Sequence, residues 1–302
     1  MDISERDSRF IRIRLGSFDV TKISVSDTDP LHSVAQTARW TAAARARETE
    51  RHDRLFSDPF ADLLSGDEGR QLLTHFHTNH AADTGNPFLP IRTRWFDDFL
   101  NATGLAGQVV ALGGGLDTRA YRMPWHPGTV LFDVDQPSLL REKITRLAAT
   151  GAGPQCDHRV VGVDFAEDWS AALLAAGLDQ SRPVAWFCEG LLFYLPEEVA
   201  AGVMRRAAEL SPSGSRLAAD LIGTGIFRFP YMREFLRRLA AAGSPWVFGT
   251  DDPAGFLAAC GWHPDTVTEP GQPGANYGRW PNAGAPSGFP DLPRSYLVTG
   301  SV

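Results

Sequence analysis

The sequence predicts an α/β protein in which a parallel sheet is covered by helices on both faces. From residue 108 onward, short and nearly continuous apolar segments alternate with helical stretches, as in parallel sheets with helical crossovers. The first apolar segment, residues 109–112, runs directly into Gly113, Gly114 and Gly115, and such a turn is typical of the ligand-binding edge of these sheets. Residues before this point have a helical pattern instead.

The chain divides into three predicted regions. Residues 1–30 form a leader whose alternating apolar and basic side chains fit a short strand, and a mobile leader fits equally well. Residues 31–104 are predicted to be helical because they are rich in Ala, Arg and Glu, and Pro59 is predicted to open a helix after a break in the pattern. Residues 105–302 carry the sheet.

Seven apolar segments of the third region are predicted strands: residues 109–112, 130–135, 160–164, 184–188, 217–221, 262–269 and 295–299. The predicted helices between and after them are residues 137–149, 169–176, 196–210, 227–242 and 252–260. Residues 271–293 are crowded with Gly, Pro and Asn, which predicts a loop before the final strand.

The composition argues against several classes of partner. The 302 residues have a formal net charge of -7 and no long basic run, so we expect no nucleic-acid partner. No apolar run approaches the roughly 20 residues that span a bilayer, so we expect no membrane partner. Cys156, Cys188 and Cys260 lie far apart and form no CxxC pair. The sequence therefore predicts a cytoplasmic protein with neither disulfides nor a metal site.

The glycine turn and the acids that follow it indicate a nucleotide-like ligand. A dinucleotide-binding G-x-G-x-x-G pattern needs a third glycine, and Thr118 stands in its place. Asp133 and Asp135 lie on the next predicted strand, where an acid accepts hydrogen bonds from ribose hydroxyls. Both NAD and S-adenosylmethionine contain such a ribose, so the turn alone leaves both cofactors open.

Further carboxylates follow other predicted strands. Asp164, Glu189 and Asp220 stand at or near three strand ends, where a parallel sheet gathers side chains around a ligand crevice. Each alone could be a solvated strand end or a helix cap. Asp164 and Glu189, together with Asp133 and Asp135, favour a cofactor with a positive sulfonium and an ammonium over one with a pyrophosphate.

Six sequence blocks give the chain a family resemblance. They are WTAAARARE (residues 40–48), LFSDPF (55–60), RTRWFDDFL (92–100), ALGGGLDTRAYR (111–122), FDVDQP (132–137) and EGLLFYLP (189–196). In this order they resemble the leucine carboxyl methyltransferase family, and within it the actinobacterial S-adenosylmethionine-dependent methyltransferases and the polyketide carboxyl O-methyltransferases. The resemblance covers roughly Val34 to the C-terminus. Family members usually have Gly-Ala-Gly where this chain has three glycines.

The resemblance implies a fold and a cofactor. The fold is the Rossmann-like, mostly parallel seven-stranded sheet of class I methyltransferases, with an antiparallel last strand. Residues 31–104 would form a helical cap over the crevice, and an insertion at about residues 222–250 would act as a lid. The cofactor would be S-adenosyl-L-methionine, which leaves as S-adenosyl-L-homocysteine.

The resemblance also places the methionine portion of the cofactor. Gly113 and Gly115 would lie beside it. Glu189 would lie near its amino group. Arg92 or Arg94 would pair with its carboxylate, because a guanidinium fork suits a bidentate contact. The arginine that does not bind would be a helix-surface residue.

The adenosine portion would meet the ends of the next two strands. Asp135 would hold the ribose diol, with Asp133 as the nearby alternative. Asp164 and the backbone of Phe165 would face the adenine edge.

Six side chains are candidates for the methyl-acceptor site: the aromatic residues Trp40, Phe227, Tyr231 and Trp246, and the arginines Arg45 and Arg228. The aromatic residues could wall a pocket, or pack in the core. Either arginine could hold an acidic acceptor, since a buried carboxylate without a cationic partner is costly, or both could be solvated.

The predicted reaction is methylation of a small molecule, with carboxylate O-methylation in secondary metabolism as the favoured form. The sequence shows no evident catalytic base, and a carboxylate, already ionised at neutral pH, needs none. Alternatives are N- or C-methylation of an aromatic or indole metabolite, an NAD(P)-dependent oxidoreductase, and a non-catalytic binding protein. The sequence does not predict an oligomeric state.

Overall fold

The computed structural model describes residues 31–77, 87–103, 107–280 and 292–302. The predicted leader, residues 1–30, lies outside this part of the chain. The described helices are α1 (Leu31–Thr49), α2 (Ala61–His77), α3 (Phe88–Ala102), α4 (Arg119–Arg122), α5 (Pro137–Ala148), α6 (Trp169–Ala175), α7 (Glu197–Glu209), α8 (Gly225–Arg228), α9 (Arg233–Ala241) and α10 (Pro253–Ala259). The strands are β1 (Gln108–Leu112), β2 (Val130–Asp135), β3 (Asp157–Gly162), β4 (Val184–Cys188), β5 (Arg216–Ile222), β6 (His263–Thr268) and β7 (Ser295–Ser301).

The described strands form one seven-stranded sheet in the order β3-β2-β1-β4-β5-β7-β6. The first five strands are parallel, and β7 runs antiparallel between β5 and β6. The predicted α/β class and the antiparallel last strand are therefore confirmed. Strand order reverses beside β1, so the carboxyl ends of β1 and β4 flank a crevice of the kind that binds ligands in such sheets.

Side chains alternate between two apolar layers along the central strands. Val110 and Trp186 face a layer that contains residues of α6, α7 and α10. Val109 and Phe187 face the other layer, which contains residues of α1 to α5. Burial on both faces explains why these strands are near-continuous apolar runs in the sequence.

The edge strand β3 differs from its predicted bounds. It begins at Asp157 rather than residue 160, and it ends at Gly162, two residues before Asp164. Pairing with the whole of β2 sets these limits, since Val130 is opposite Asp157 and Asp135 is opposite Gly162. An edge strand has polar residues where it is exposed. The apolar run of β3 therefore begins later than the strand itself, which starts with the polar residues 157–159.

The predicted helix over residues 227–242 is broken into three pieces. Helix α8 ends at Arg228, a short 3-10 turn covers Pro230–Met232, and α9 begins at Arg233. Pro230 causes the break, because a residue before proline is driven out of the helical region, and Phe229 has φ −68° and ψ 120°.

Three helices precede the sheet. Helix α2 begins at Ala61, so Pro59 lies in the turn before it rather than at its first position, and Gly66 (φ 58°) bends it. Arg39 of α1 joins this layer to the core, because it forms ion pairs of 2.8 Å with Glu68 of α2 and Glu142 of α5. The predicted boundary at residue 104 and the predicted lid at residues 222–250 stay predictions.

No helix of the described residues is both long and apolar enough to span a membrane.

Candidate active site

A cavity of about 550 Å³ lies at the carboxyl ends of the parallel strands. Loops after β1, β2, β3 and β4 form its floor, and residues from α1, α3, α9 and the segments around α9 form its roof. Its volume lies within the range of small-molecule sites, about 300–1,000 Å³. The position is the one at which doubly wound sheets bind ligands.

The glycine turn after β1 contributes backbone to the floor. Gly113 (φ 69°) and Gly115 (φ 50°) have the left-handed conformation that side chains disfavour. Gly114 has a different constraint, because a Cβ atom there would collide with Oδ1 of Asp133. The three glycines therefore have two separate physical causes, conformation at the outer positions and space at the middle one.

The two acids of β2 have different surroundings. Asp135 lines the cavity and accepts hydrogen bonds of 2.6 Å from the backbone N–H groups of Gly115 and Gln136. Burial raises the pKa of Asp135 to about 6 despite these bonds. Its carboxylate is the one of the pair that a ligand in the cavity can reach.

Asp133 does not line the cavity. It is buried beneath the turn, 2.5 Å from Nζ of Lys143 and 3.0 Å from Nε2 of His158. Burial alone would raise the pKa of Asp133, and the charge of Lys143 with the hydrogen bond from His158 lowers it overall. Asp133, which the sequence offered as the alternative ligand of the ribose, is thus already paired with Lys143 and His158 in the interior.

The two arginines proposed from RTRWFDDFL have opposite locations. Arg92 lines the cavity, where Nε donates to Oε1 of Glu189 at 3.1 Å and Nη1 donates to Oδ2 of Asp220 at 2.9 Å. Arg94 lies outside the cavity lining and is 40% exposed, and it pairs with Asp98 at 2.8 Å. Residues two apart on a helix point in different directions, so only one of the two can face the crevice.

Glu189 is held between two arginines. Besides Arg92, Nη1 of Arg119 lies 2.8 Å from Oε2 of Glu189. Arg119 is itself fixed by Asp97, to which Nε donates at 2.7 Å. This network places a carboxylate and a guanidinium side by side at the end of β4.

No site role was predicted for Arg119 or Asp97, although both lie inside quoted blocks, and Asp220 was predicted only to lie near a strand end. Asp220 also accepts a 2.6 Å bond from the N–H of Gly190, and so fixes the turn after Glu189. The available signal was composition: RTRWFDDFL combines two arginines and two aspartates with four apolar residues, and any charge that such a segment buries requires a partner.

Asp164 and Phe165 both line the cavity at the loop after β3. Asp164 accepts a hydrogen bond from the N–H of Ala166 at 2.9 Å, and the ring of Phe165 packs edge-on against Trp169 at 6.0 Å. Both residues are therefore oriented by local contacts at the side of the cavity beyond Asp135.

Four of the six acceptor-site candidates line the cavity, namely Trp40, Arg45, Tyr231 and Trp246. Phe227 and Arg228 do not line it. Phe227 lies against the backbone at Gly249, and Nη1 of Arg228 donates to Thr224 at 3.0 Å. The break at Pro230 separates these two residues from α9. The prediction of one continuous helix had wrongly placed them beside Tyr231 at the pocket.

Arg45 reaches the cavity with much of its guanidinium already engaged. Nε donates to Oδ2 of Asp58 at 2.8 Å, and Nη2 donates to the carbonyl oxygen of Leu116 at 2.6 Å. Its main visible role is to fasten α1 to the loop after the glycine turn.

Further lining residues had no predicted role: Phe88, Phe193, Tyr194, Glu234, Phe235, Arg238 and Trp280. Phe193 and Tyr194 belong to the EGLLFYLP block, four and five residues after Glu189. Two aromatic residues this close to a predicted cofactor ligand could have indicated a pocket wall. Glu234, Phe235 and Arg238 lie on one face of α9 because of their spacing. The sequence prediction did not identify this face, because it treated α8 and α9 as one helix.

Known proteins match this fold and these blocks. The sequence profile of the leucine carboxyl methyltransferase family matches residues 38–208, more than half of the chain. The chain belongs to the leucine carboxyl methyltransferase family. Proposed S-adenosyl-L-methionine-dependent methyltransferases of Mycobacterium are similar to it. The protein of Mycobacterium sp. (strain JLS) is 38% identical over 273 residues, which cover 80% of this chain and 87% of the relative. That of Mycobacterium avium (strain 104) is 41% identical over 276 residues, with the same coverage.

Solved structures share the fold of this leucine carboxyl methyltransferase family member. A DUF574 family protein from Streptomyces avermitilis aligns with a TM-score of 0.59 at 18% identity, covering 90% of this chain and 99% of that one. A proposed methyltransferase from Thermobifida fusca aligns with a TM-score of 0.57 at 15% identity, covering 87% and 93%. The protein is an S-adenosylmethionine-dependent methyltransferase, and this replaces the oxidoreductase and non-catalytic alternatives.

Proposed function

We propose that the enzyme methylates a carboxylate oxygen of a small molecule. One observation carries the proposal: among the described residues, the cavity lining contains three arginines, Arg45, Arg92 and Arg238, and no histidine. Five carboxylates also line the cavity: we assign Asp135, Asp164 and Glu189 to the cofactor, and Asp117 and Glu234 are already paired with arginines. The arginines of the lining therefore suit an anionic acceptor that needs no general base. A carboxylate, with a pKa near about 4, is already ionised at neutral pH.

The acid on the lid side of the lining supports this choice. Glu234 is the one carboxylate that α9 contributes to the lining, and hydrogen bonds from Arg237 and Arg238 lower its pKa to about 2. A base this weak cannot take a proton from a phenol or an amine efficiently at neutral pH. The weak basicity of Glu234 would not slow the methylation of a carboxylate, which has no proton to lose at neutral pH.

We assign the floor of the cavity to S-adenosylmethionine. When bound, the cofactor supplies a methyl group on a positively charged sulfur. Glu189 would hold its ammonium and Arg92 its carboxylate. The backbone of Gly113 and Gly115 would lie beside the methionine portion, which the missing side chains permit.

The adenosine would lie along the next two loops. Asp135 would accept hydrogen bonds from the ribose hydroxyls, and Asp164 with the backbone of Phe165 would face the adenine. The fit rests on donor and acceptor chemistry: Asp135 has a buried carboxylate at the cavity surface, whereas Asp133 is enclosed by Lys143 and His158.

The protein's contribution to the reaction would be alignment and exclusion of water. Holding two reactants in line can lower a barrier by about 7–11 kcal/mol. The roof helices enclose the space above the glycine turn, and the arginines of the lining would orient anionic groups within it. No side chain has to move a proton.

N- or C-methylation of an aromatic or indole metabolite remains the second candidate. The aromatic residues Trp40, Tyr231 and Trp246 of the lining favour it, because they suit a flat acceptor of any of these classes.

The test is a screen with S-adenosylmethionine labelled in the methyl group. Purified enzyme is incubated with sets of carboxylic acids, phenols and indoles, and the products are treated with alkali. Methyl esters release volatile labelled methanol under these conditions, whereas ethers and N- or C-methyl products do not. Label that transfers only to alkali-stable products would refute carboxylate methylation.

The setting of the reaction completes the proposal. We place it in the cytoplasm because the three cysteines are dispersed in the sequence, and in secondary metabolism because of the resemblance to polyketide carboxyl O-methyltransferases. A deletion strain whose extracts lose a small methyl ester would support this setting.

A further inference from the structure

Two carboxylates of the cavity lining meet at one nitrogen of Arg119. Asp117, just after the glycine turn, and Glu189, just after β4, both line the cavity. Oδ2 of Asp117 and Oε2 of Glu189 each contact Nη1 of Arg119, the latter at 2.8 Å. The two acids are partly open, with 19% and 13% of their side chains exposed, whereas the side chain of Arg119 is only 1% exposed. Two acids therefore share one buried cation at the surface of the cavity.

The ion-pair network around Arg119 contains more acids than bases. Among the described residues, ion pairs connect three arginines, Arg92, Arg119 and Arg122, with four carboxylates, Asp97, Asp117, Glu189 and Asp220. One negative charge of this network is therefore left over. Asp117 and Glu189 are the two of its carboxylates that line the cavity, so a cation in the cavity can reach the surplus charge there.

The other cations near Asp117 are already paired with other acids. Arg45 and Lys143 are close enough to act on Asp117 through their charge. Nε of Arg45, however, donates to Oδ2 of Asp58 at 2.8 Å, and Nζ of Lys143 lies 2.5 Å from Oδ2 of Asp133. Neither of them balances the surplus charge of the network.

Asp117 keeps its negative charge although it is largely buried. Burial alone would raise its pKa, and the charge of Arg119 is the main cause that lowers it overall. A buried carboxylate that stays ionised is costly unless cations and hydrogen-bond donors surround it. Because Arg119 is shared with Asp97 and Glu189, a further cation on the cavity side would stabilise Asp117.

We propose that Asp117 and Glu189 together hold the ammonium of S-adenosylmethionine. This rests on the proposed assignment of the cavity floor to the cofactor, and it adds a second acid to that assignment. An ammonium has three N–H donors and no acceptor, so it can bond two carboxylate oxygens at once. Two oxygens that contact the same nitrogen of Arg119 are close enough for a second nitrogen to contact both. Asp117 and Glu189 then gain the positive charge that their network lacks.

The test is calorimetry on the full chain with two ligands. S-adenosylhomocysteine carries the ammonium. Its deaminated analogue has a hydrogen in place of the amino group and keeps the adenosine, the sulfur and the carboxylate. Each charged hydrogen bond contributes about tenfold or more to the affinity. Two such bonds predict that the wild type binds S-adenosylhomocysteine at least about a hundredfold more tightly than the analogue.

Asp117→Asn should reduce this preference at least about tenfold, because it removes the charge. It keeps an oxygen that can accept from the backbone N–H of Arg119, as Oδ1 of Asp117 does at 2.7 Å. Urea unfolding without ligand shows whether the variant is folded.

Asp97→Asn is the matched control. Oδ1 of Asp97 accepts from Nε of the same Arg119 at 2.7 Å, and Asp97 does not line the cavity. A disturbed network should change the affinities for both ligands by the same factor, so Asp97→Asn should keep the preference. The ratio of the two affinities thus separates contact with the ammonium from support of Arg119.

Two results with these variants would reject Asp117 as a ligand of the ammonium: an unchanged preference in Asp117→Asn, or an equal fall in Asp97→Asn. If Asp117→Asn does not fold, the wild type decides. A preference above about a hundredfold supports two carboxylates at the ammonium, and one below about tenfold excludes them.

Glu189→Gln distinguishes these outcomes from a failure of the proposed function. If Glu189→Gln lowers the preference and Asp117→Asn does not, only the role of Asp117 fails. If neither variant lowers it, the proposed place of the cofactor's ammonium fails as well. No methyl acceptor is present in these measurements, so carboxylate methylation stands or falls separately, by the release of labelled methanol.

Discussion

Gly115 donates its backbone N–H to Oδ2 of Asp135 at 2.6 Å, so the turn after β1 is fastened to the carboxylate that ends β2. The same buried carboxylate has a pKa raised to about 6, because burial disfavours its charge. The residue that orders the turn therefore titrates just below neutral pH.

We expect the affinity for S-adenosylhomocysteine to fall as the pH decreases from 7 to 5. The ionised form of Asp135 is the better acceptor for ribose hydroxyls, and a pKa raised to about 6 moves its loss into this interval, whereas an ordinary Asp titrates near about pH 4. Asp135→Asn should bind more weakly, by about 1.5–3 kcal/mol, and show no such step. Calorimetry at several pH values checks both, and a flat wild-type profile would contradict the ribose assignment.

Gly114→Ala should destabilise the protein by about 1–3 kcal/mol, the usual cost of forcing atoms into packed space. The new Cβ would collide with Oδ1 of Asp133, which Lys143 and His158 hold in place. Gly202→Ala is the control: it lies within α7, a Cβ added there would meet nothing within 4 Å, and alanine should stabilise by about 0.5–1 kcal/mol. Urea unfolding measures both, and opposite signs are expected.

Arg92→Lys should weaken S-adenosylhomocysteine binding at least about tenfold, because an ammonium cannot reproduce the fork that bonds Glu189 and Asp220 and faces the cavity. Arg94→Lys, two residues along the same helix and outside the cavity lining, should change the affinity by no more than about 0.5 kcal/mol. Calorimetry decides between them. A larger effect at Arg94 would reverse the assignment.

Arg279→Met should destabilise the protein by about 1–3 kcal/mol. Its Nη2 donates to Oε1 of Glu48 at 2.7 Å, and Glu48 is only 2% exposed, so the variant leaves a buried acid with weaker compensation. Combining it with Glu48→Gln should recover part of the loss, since the stranded charge is then gone. Arg70→Met, which breaks ion pairs with the exposed acids Asp62 and Asp67, should stay within about 0.5 kcal/mol. Strict additivity in the double variant would show that the pair is not coupled.

The sequence could predict the sheet because both of its faces are buried. Burial makes β1 and β4 nearly continuous apolar runs, and β2 is apolar except for its two acids. The positive φ of Gly113 and Gly115 favours glycine, which makes the first turn conspicuous in the sequence. Where burial is incomplete, the predicted bounds were wrong: β3 begins at the exposed Asp157, three residues before its predicted start. The unrecognised effect of Pro230 on Phe229 merged two helices into one.

The candidate site was predictable in its chemistry and less so in its geometry. Arg92 and Arg94 carry the same charge, and only the direction of α3 relative to the crevice separates them. Asp133 and Asp135 carry the same carboxylate on the same strand, and only their surroundings at the end of β2 separate them. Aromatic residues that line the cavity come from three distant parts of the chain, represented by Trp40, Phe193 and Phe235. No local sequence pattern encodes a contact such as that between Trp40 and Phe235.

The position of β7 has a consequence for how the protein is made on the ribosome. β6 pairs only with β7 in the described sheet, and β7 pairs on its other side with β5. During synthesis β6 emerges before the strand that must lie between it and the rest of the sheet. The five parallel strands can assemble while the chain is still growing, but β6 has to wait until residues 295–301 have left the exit tunnel. The sheet is therefore completed when β7, the last of its described strands to be synthesised, enters between β5 and β6.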